Sequence, residues 1–109
     1  HFSLETTMSA SMNAPSAFGR PLFELGSICM TEGVCDLVGN GLLRPAPLVL
    51  RHVSGDWGEM DAEDCATNNR AVKHGGRIMS SYQINATTKI WIITEWDRSV
   101  TTLLLPSEY

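Results

Sequence analysis

The sequence predicts an α+β fold: a four-stranded, mainly antiparallel sheet with two or three helices, mostly on one face, ending in a three-strand meander. Three observations carry this expectation. A capped helical segment runs from Asp61 to Gly75-Gly76. Three apolar runs follow it, separated by turn residues. An earlier apolar run spans Leu22 to Met30. The 109 residues suffice for one core but not for two, and 43% apolar against 18% charged residues excludes a disordered chain.

Residues 1–20 are rich in Ser, Thr, Ala and Met without a period and read as an irregular leader, with Phe2, Leu4 or Phe18 able to tie it down. His1 reads as the end of a tag or a processed start, and Met8 or Met12 as a native start. Residues 21–109 form a single domain in this reading. "PLFELGSICM" supplies its first strand through Leu22, Phe23, Leu25, Ile28 and Met30, with Gly26 marking a bulge or close contact. "TEGVCDLVGNG" is a short helix: Thr31 is its N-cap, Glu32 suits the first turn, and Gly39-Asn40-Gly41 stops it. Gly33 costs that helix about 1 kcal/mol relative to Ala. "RPAPLVLRHV" fits a short helix from about Pro47 to Val53, since proline is tolerated in a first turn, although "LVL" alone would suit a strand.

The long helix starts at Asp61, a good N-cap, with Glu63 and Asp64 at the positive end of its dipole. Ala62, Cys65, Ala66, Asn69 and Val72 share one face; Glu63, Thr67, Arg70 and His74 share an outward one. The strands "RIMSSYQI", "KIWIITEW" and "VTTLLLP" complete the meander, with "NATT" and "DRS" as turns. In the middle strand Ile90, Ile92 and Trp96 point one way, and Trp91 and Ile93 the other. A strand greasy on both sides must be covered twice. Either a second copy meets Trp91 and Ile93, making a homodimer, or the N-terminal segment folds back over them.

The stretch from Arg51 to Tyr109, above all "RHVSGDWGE", "KHGGRIMSSY" and "IWIITEWDRSVTTLLLPSEY", resembles a family of small proteins from plasmids, integron gene cassettes and other mobile elements. Its members carry the labels "plasmid-related protein" or "type I restriction endonuclease subunit M". The resemblance implies a compact α+β domain and a mobile-genome context, and no substrate. A methyltransferase would need a glycine-rich nucleotide loop after a strand, and the sequence has none.

The net charge of -4 speaks against a nucleic-acid surface unless Arg44, Arg51, Arg70, Lys73, Arg77 and Lys89 share one face. No run of about 18 apolar residues offers a membrane span. Cys29, Cys35 and Cys65 form no CxxC pair, which suits free thiols in the cytoplasm. His52, Asp56, Asp64 and His74 lack the HxxxH or HExxH spacing of a metal site, and no cofactor is expected. A cysteine paired with His52 as nucleophile and base is less expected than a buried inert thiol. Glu95, Asp97 and Arg98 suit a tight turn better than an acid-base pair, with Arg98 bonding Glu95, Asp97 or, across loops, Asp56.

The best place for a ligand is a cavity lined by His52, Asp56, Trp57, Asn69 and Tyr82. Its bland counterpart is a loop in which Asp56 accepts backbone N–H bonds and Trp57 packs on the domain. The leading functional expectation is a non-enzymatic interaction protein of a mobile element, dimeric, with a host or mobile-element partner. The alternative is a small-molecule binder or small enzyme using the "HVSGDWGE" loop.

Overall fold

The computed structural model describes residues 20–109. β1 (Ser27–Met30) is followed by α1 (Glu32–Gly39), α2 (Pro45–Val53) and α3 (Ala62–His74). Then come β2 (Ile78–Gln83), β3 (Lys89–Thr94), β4 (Val100–Leu104) and a 3-10 turn at Pro106–Glu108. The expected leader, with Phe2, Leu4, Phe18 and both candidate start methionines, lies outside the described residues apart from Arg20.

The fold is α+β. The sheet has the order β1-β4-β3-β2; β1 runs parallel to β4 and the other pairs are antiparallel. β1 is shorter than the apolar run that announced it. Gly26 has φ +65°, and a Cβ there would sit 2.3 Å from the Ser99 carbonyl oxygen, so the chain turns sharply before the strand begins. Upstream of that turn, the Leu22 N–H donates to the Val53 carbonyl (2.8 Å), which ties the segment to α2 instead of to the sheet. α2 begins at Pro45, two residues before the expected Pro47, because both prolines fit a first turn where no intrahelical N–H bond is needed.

Strand register divides the side chains between two faces. Ile28, Met30, Ile78, Tyr82, Ile90, Ile92 and Leu103 point inward, where α1 contributes Val34 and α2 contributes Leu48, Val49 and Val53. Each large aliphatic side chain sealed there contributes roughly 2 kcal/mol. Met79, Trp91, Ile93 and Leu104 point outward. Trp96 does not share the inward side with Ile92: β3 ends at Thr94, and Trp96 stands in the following turn, 71% exposed.

α3 packs along the β2 edge, so its buried stripe is narrow. Asn68 and Ala71 are buried, Cys65 and Val72 are half-buried, and Ala62, Ala66 and Asn69 are exposed. This rotates the expected face by one residue. The Asn68 amide donates to the Met79 carbonyl (2.8 Å) and accepts from the Met79 N–H (3.2 Å), closing part of the sheet edge.

The C-terminal turn returns to α1. The Glu108 carboxylate accepts from the Thr31 hydroxyl (2.5 Å), the Gly33 N–H (2.9 Å) and the Leu105 N–H (2.9 Å). Thr31 therefore stands at the N-cap, but Glu108 serves the first-turn amide. Beyond it, Tyr109 meets the Trp91 ring at 5.6 Å. The outer side of β3 is thus covered in part by the chain's own C-terminal turn, which the sequence reading did not foresee; the N-terminal segment expected as a possible cover lies outside the described residues.

Candidate functional site

Two places bring chemical groups together: the inner-face network under the "HVSGDWGE" segment, and a groove on the outer face. The first contains the residues singled out in the sequence. His52 sits on the last turn of α2, fully buried, with Phe23 and Trp57 against its ring in edge geometry. Its Nδ1 lies 2.5 Å from the Ser80 hydroxyl and its Nε2 2.9 Å from the Thr94 hydroxyl. Thr94 in turn lies 2.7 Å from Thr101, whose hydroxyl donates to the Leu25 carbonyl (2.7 Å).

That last carbonyl fixes the direction of every proton in the chain of bonds. A carbonyl only accepts, so Thr101 donates to it and must accept from Thr94. Thr94 then accepts from His52 Nε2–H, which leaves Nδ1 bare to accept from Ser80. One neutral tautomer satisfies all four side chains. Burial pushes the imidazole down to about 3, well below its ordinary 6.5.

Around this core the loop is tied on every side. The Asp56 carboxylate accepts from the Arg51 guanidinium (2.7 and 3.3 Å) and from the Gly58 N–H (3.2 Å). The Arg51 bond holds the Asp56 carboxyl below the usual carboxylate range. Tyr82, buried, donates its hydroxyl to the Asp56 carbonyl (2.6 Å) and carries the Arg51 guanidinium 4.6 Å above its ring. Burial raises the Tyr82 phenol above its usual range. Trp57 is buried, stacks on Phe23 at 6.2 Å and donates its indole N–H to the Asn69 amide oxygen (3.2 Å).

Gly58 and Ser81 form a parallel bridge, with Ser81 N–H donating to the Trp57 carbonyl (3.1 Å) and Glu59 N–H to the Ser81 carbonyl (2.6 Å). The loop thus acts as a short fifth strand on the β2 edge. Only glycine fits its closest point, because a Cβ on Gly58 would lie 2.1 Å from the Ser81 carbonyl oxygen and φ is +74°.

His52, Asp56, Trp57, Asn69 and Tyr82 are therefore neighbours, and the polar atoms of their side chains bond one another or other groups of the protein. Asn69 is exposed and reaches back only to Trp57; the buried amide is Asn68. Both ring nitrogens of His52 bond hydroxyls, so no cysteine pairs with it. Cys35 and Cys65 are half-buried, each 3.7 Å from a backbone carbonyl. Among the described residues no three His, Cys, Asp or Glu side chains converge to hold a metal ion.

In the β3–β4 turn, Asp97 accepts from the Ser99 N–H (3.1 Å) and hydroxyl (2.6 Å). Arg98, at φ +61°, bonds no carboxylate among the described residues. Its guanidinium donates to the carbonyls of Gly76 (2.6 Å), Ala71 (2.7 Å) and Glu95 (3.0 Å) and lies over Phe23. The expected bonds to the Glu95 or Asp97 side chains or to Asp56 give way to this role because the carbonyls of Ala71, in the last turn of α3, and of Gly76, just past it, lie within reach and accept from Arg98. Arg77 is the residue near the Glu95 carboxylate, at 3.9 Å.

The second place is an open groove of about 670 Å³. Its floor is Met79 and Ser81 of β2. One wall is the loop and α3, with Glu59, Met60 and Asp64. The other is Lys89, Trp91 and Pro106, with Arg77 where β2 begins. Trp91 is half-buried and remains partly accessible, whereas Ile93 is only 3% exposed and offers almost no surface to a partner. Arg77 donates to the Tyr109 hydroxyl (2.7 Å) and stacks over its ring, which steadies the ring against Trp91.

Sequence reasoning missed Ser80, Thr94 and Thr101. Their signal was present: each is a polar residue at an inward position of an alternating strand, where a buried hydroxyl requires a partner. Glu59, Asp64, Arg77 and Lys89 had no comparable signal, because a groove between a helix and two strands is assembled from distant segments.

No protein-family model, no curated protein and no solved structure matches the chain.

Proposed function

We propose that this chain is a non-enzymatic interaction module of a mobile element, acting in the cytoplasm, and that it docks a partner protein in the outer-face groove. One contrast supports the reading. The polar side-chain groups of His52, Asp56 and Trp57 are engaged in bonds that build the fold, whereas the groove keeps a partly accessible indole, the apolar Met79 on its floor and charged groups on both walls, Glu59 among them. An accessible aromatic anchor in a depression suits the centre of an interface.

The alternative, a ligand or catalytic site around "HVSGDWGE", would need His52 and Tyr82 to face a substrate. Both are about 1% exposed or less, and both give their polar atoms to the protein itself. A homodimer through Trp91 and Ile93 competes for the same surface as the proposed partner, and Trp91 would have to supply nearly all of its area.

The test compares partners captured from host extract by the wild-type chain, Trp91→Ala and, as a control away from the groove, Thr87→Ala. The expected result is a discrete protein retained by wild type and Thr87→Ala and lost by Trp91→Ala. Capture unaffected by Trp91→Ala would contradict the reading, as would a mass showing that only a second copy is bound.

A further inference from the structure

The outer-face groove joins three features that select the chemistry of its occupant. Its first wall, formed by the loop and α3, carries two carboxylates, Glu59 and Asp64, and neither enters an ion pair among the described residues. Its opposite wall presents the Trp91 indole, held in place by Tyr109 and, through Tyr109, by Arg77. Between them Met79 supplies an apolar floor.

Resting on the reading of this groove as the docking surface, we infer that it takes an extended segment of a partner protein in which an Arg or Lys lies between apolar residues. A cation placed between the walls meets the Trp91 indole on one side and the two carboxylates on the other, and their attraction works against the repulsion of Lys89 on the Trp91 wall. Its methylene stem lies along Met79 and Trp91 while its head reaches the carboxylates. The apolar neighbours cover the rest of the floor.

The balance of charge favours a cation over an anion. Arg77 already serves Tyr109 and Glu95, which leaves Lys89 as the groove's cation without an ion pair among the described residues, against two such carboxylates. The net charge of -4 gives the long-range field the same sign and works against a second copy of this chain as occupant. The segment binds through its side chains and not as an added strand at this side of the sheet. The β2 edge beside the groove is closed by the Gly58–Ser81 bridge and the Asn68 amide.

The experiment titrates the isotope-labelled full chain with three capped pentapeptides: Ala-Leu-Arg-Leu-Ala and its counterparts with Glu or Met at the centre. The Arg peptide is expected to shift the Trp91 indole N–H and the Met79 and Asn68 amide signals. Trp91→Ala should weaken its binding roughly fivefold. Glu59→Gln with Asp64→Asn, a surface pair that leaves the core alone, should weaken it roughly threefold. If the Glu or Met peptide moves the same signals equally well, the basic specificity is overturned while the docking reading stands. If no peptide moves them at millimolar concentration, both are overturned. If the same signals move when the chain alone is diluted, a second copy fills the groove and the proposal is overturned.

Discussion

The two faces of the sheet use polar and aromatic groups in opposite ways. On the inner face, His52, Ser80, Thr94 and Thr101 form a closed line of hydrogen bonds ending on the Leu25 carbonyl, and no proton in it has a choice of direction. On the outer face, Glu59, Asp64 and Lys89 make no ion pair among the described residues, and Trp91 keeps accessible surface. The inner residues look more like a catalytic set when read in sequence. The difference teaches that a histidine, an aspartate and a tyrosine close together can be a structural device, recognised by its completed bonds, and that a binding surface is recognised by groups left incomplete.

The comparison can be broken most forcefully at Gly58. Gly58→Ala should lower unfolding free energy by roughly 3 kcal/mol in urea melts, because the new Cβ meets backbone and φ is positive. Gly75→Ala tests the same strain without the collision, since nothing lies within 4 Å of a Cβ there; roughly 1 kcal/mol is expected. Equal losses would remove the tight bridge from the account of the loop.

Acid sharpens the contrast next. His52 is neutral when folded, down to about 3, and takes a proton near 6.5 when unfolded. Between those values the unfolded chain holds the extra proton, so this contribution is complete above 6.5 and is lost as pH falls. The slope between those values is about 1.4 kcal/mol per pH unit. Asp56, Asp97 and Glu108 are each held below their ordinary values by hydrogen bonds, from the Arg51, Ser99 and Thr31 side chains respectively. They add their own loss only from about one pH unit above their unfolded values of 3.8 and 4.5. Denaturant melts between pH 6.5 and 5.5 therefore isolate the imidazole, and a flat profile there would contradict its sealed neutral state.

Neighbouring amides give a finer test. Asn68→Ala strands the N–H and carbonyl of Met79 at the sheet edge and should cost roughly 2 kcal/mol. Asn69→Ala removes one acceptor from the Trp57 indole and should cost roughly 1 kcal/mol. The opposite order in melting experiments would refute the placement of α3. Smallest of all, Lys89→Ala and Glu59→Gln should change stability by no more than about 0.5 kcal/mol, because these groups hold nothing in the fold. A larger loss would move the outer groove into the structural category.

Much of the architecture was legible. Asp61 caps α3 by accepting the Asp64 N–H (2.8 Å), Pro45 and Pro47 sit in the first turn of α2, and the meander follows its alternation. The helix face was misjudged by one residue because periodicity gives a stripe but not the surface that receives it. With α3 against an edge, Asn68 and not Asn69 turns inward. The inward parity of Ser80, Thr94 and Thr101 was readable, but which partner each would find was not.

By itself, the sequence determined the main helices and strands, their order and the Asp61 cap of α3, since helix and strand periods and turn chemistry act over a few residues. Tertiary structure alone decided three things. Glu108 reaches across 75 residues to serve the first turn of α1. Arg98 bonds the carbonyls of Ala71 and Gly76, at and just past the end of α3, and no carboxylate among the described residues. Glu59, Asp64 and Trp91 come to share one groove. The reason is common to all three: each hydrogen bond or shared surface joins segments far apart in the chain, and their distance and direction exist only once the sheet has fixed where those segments lie.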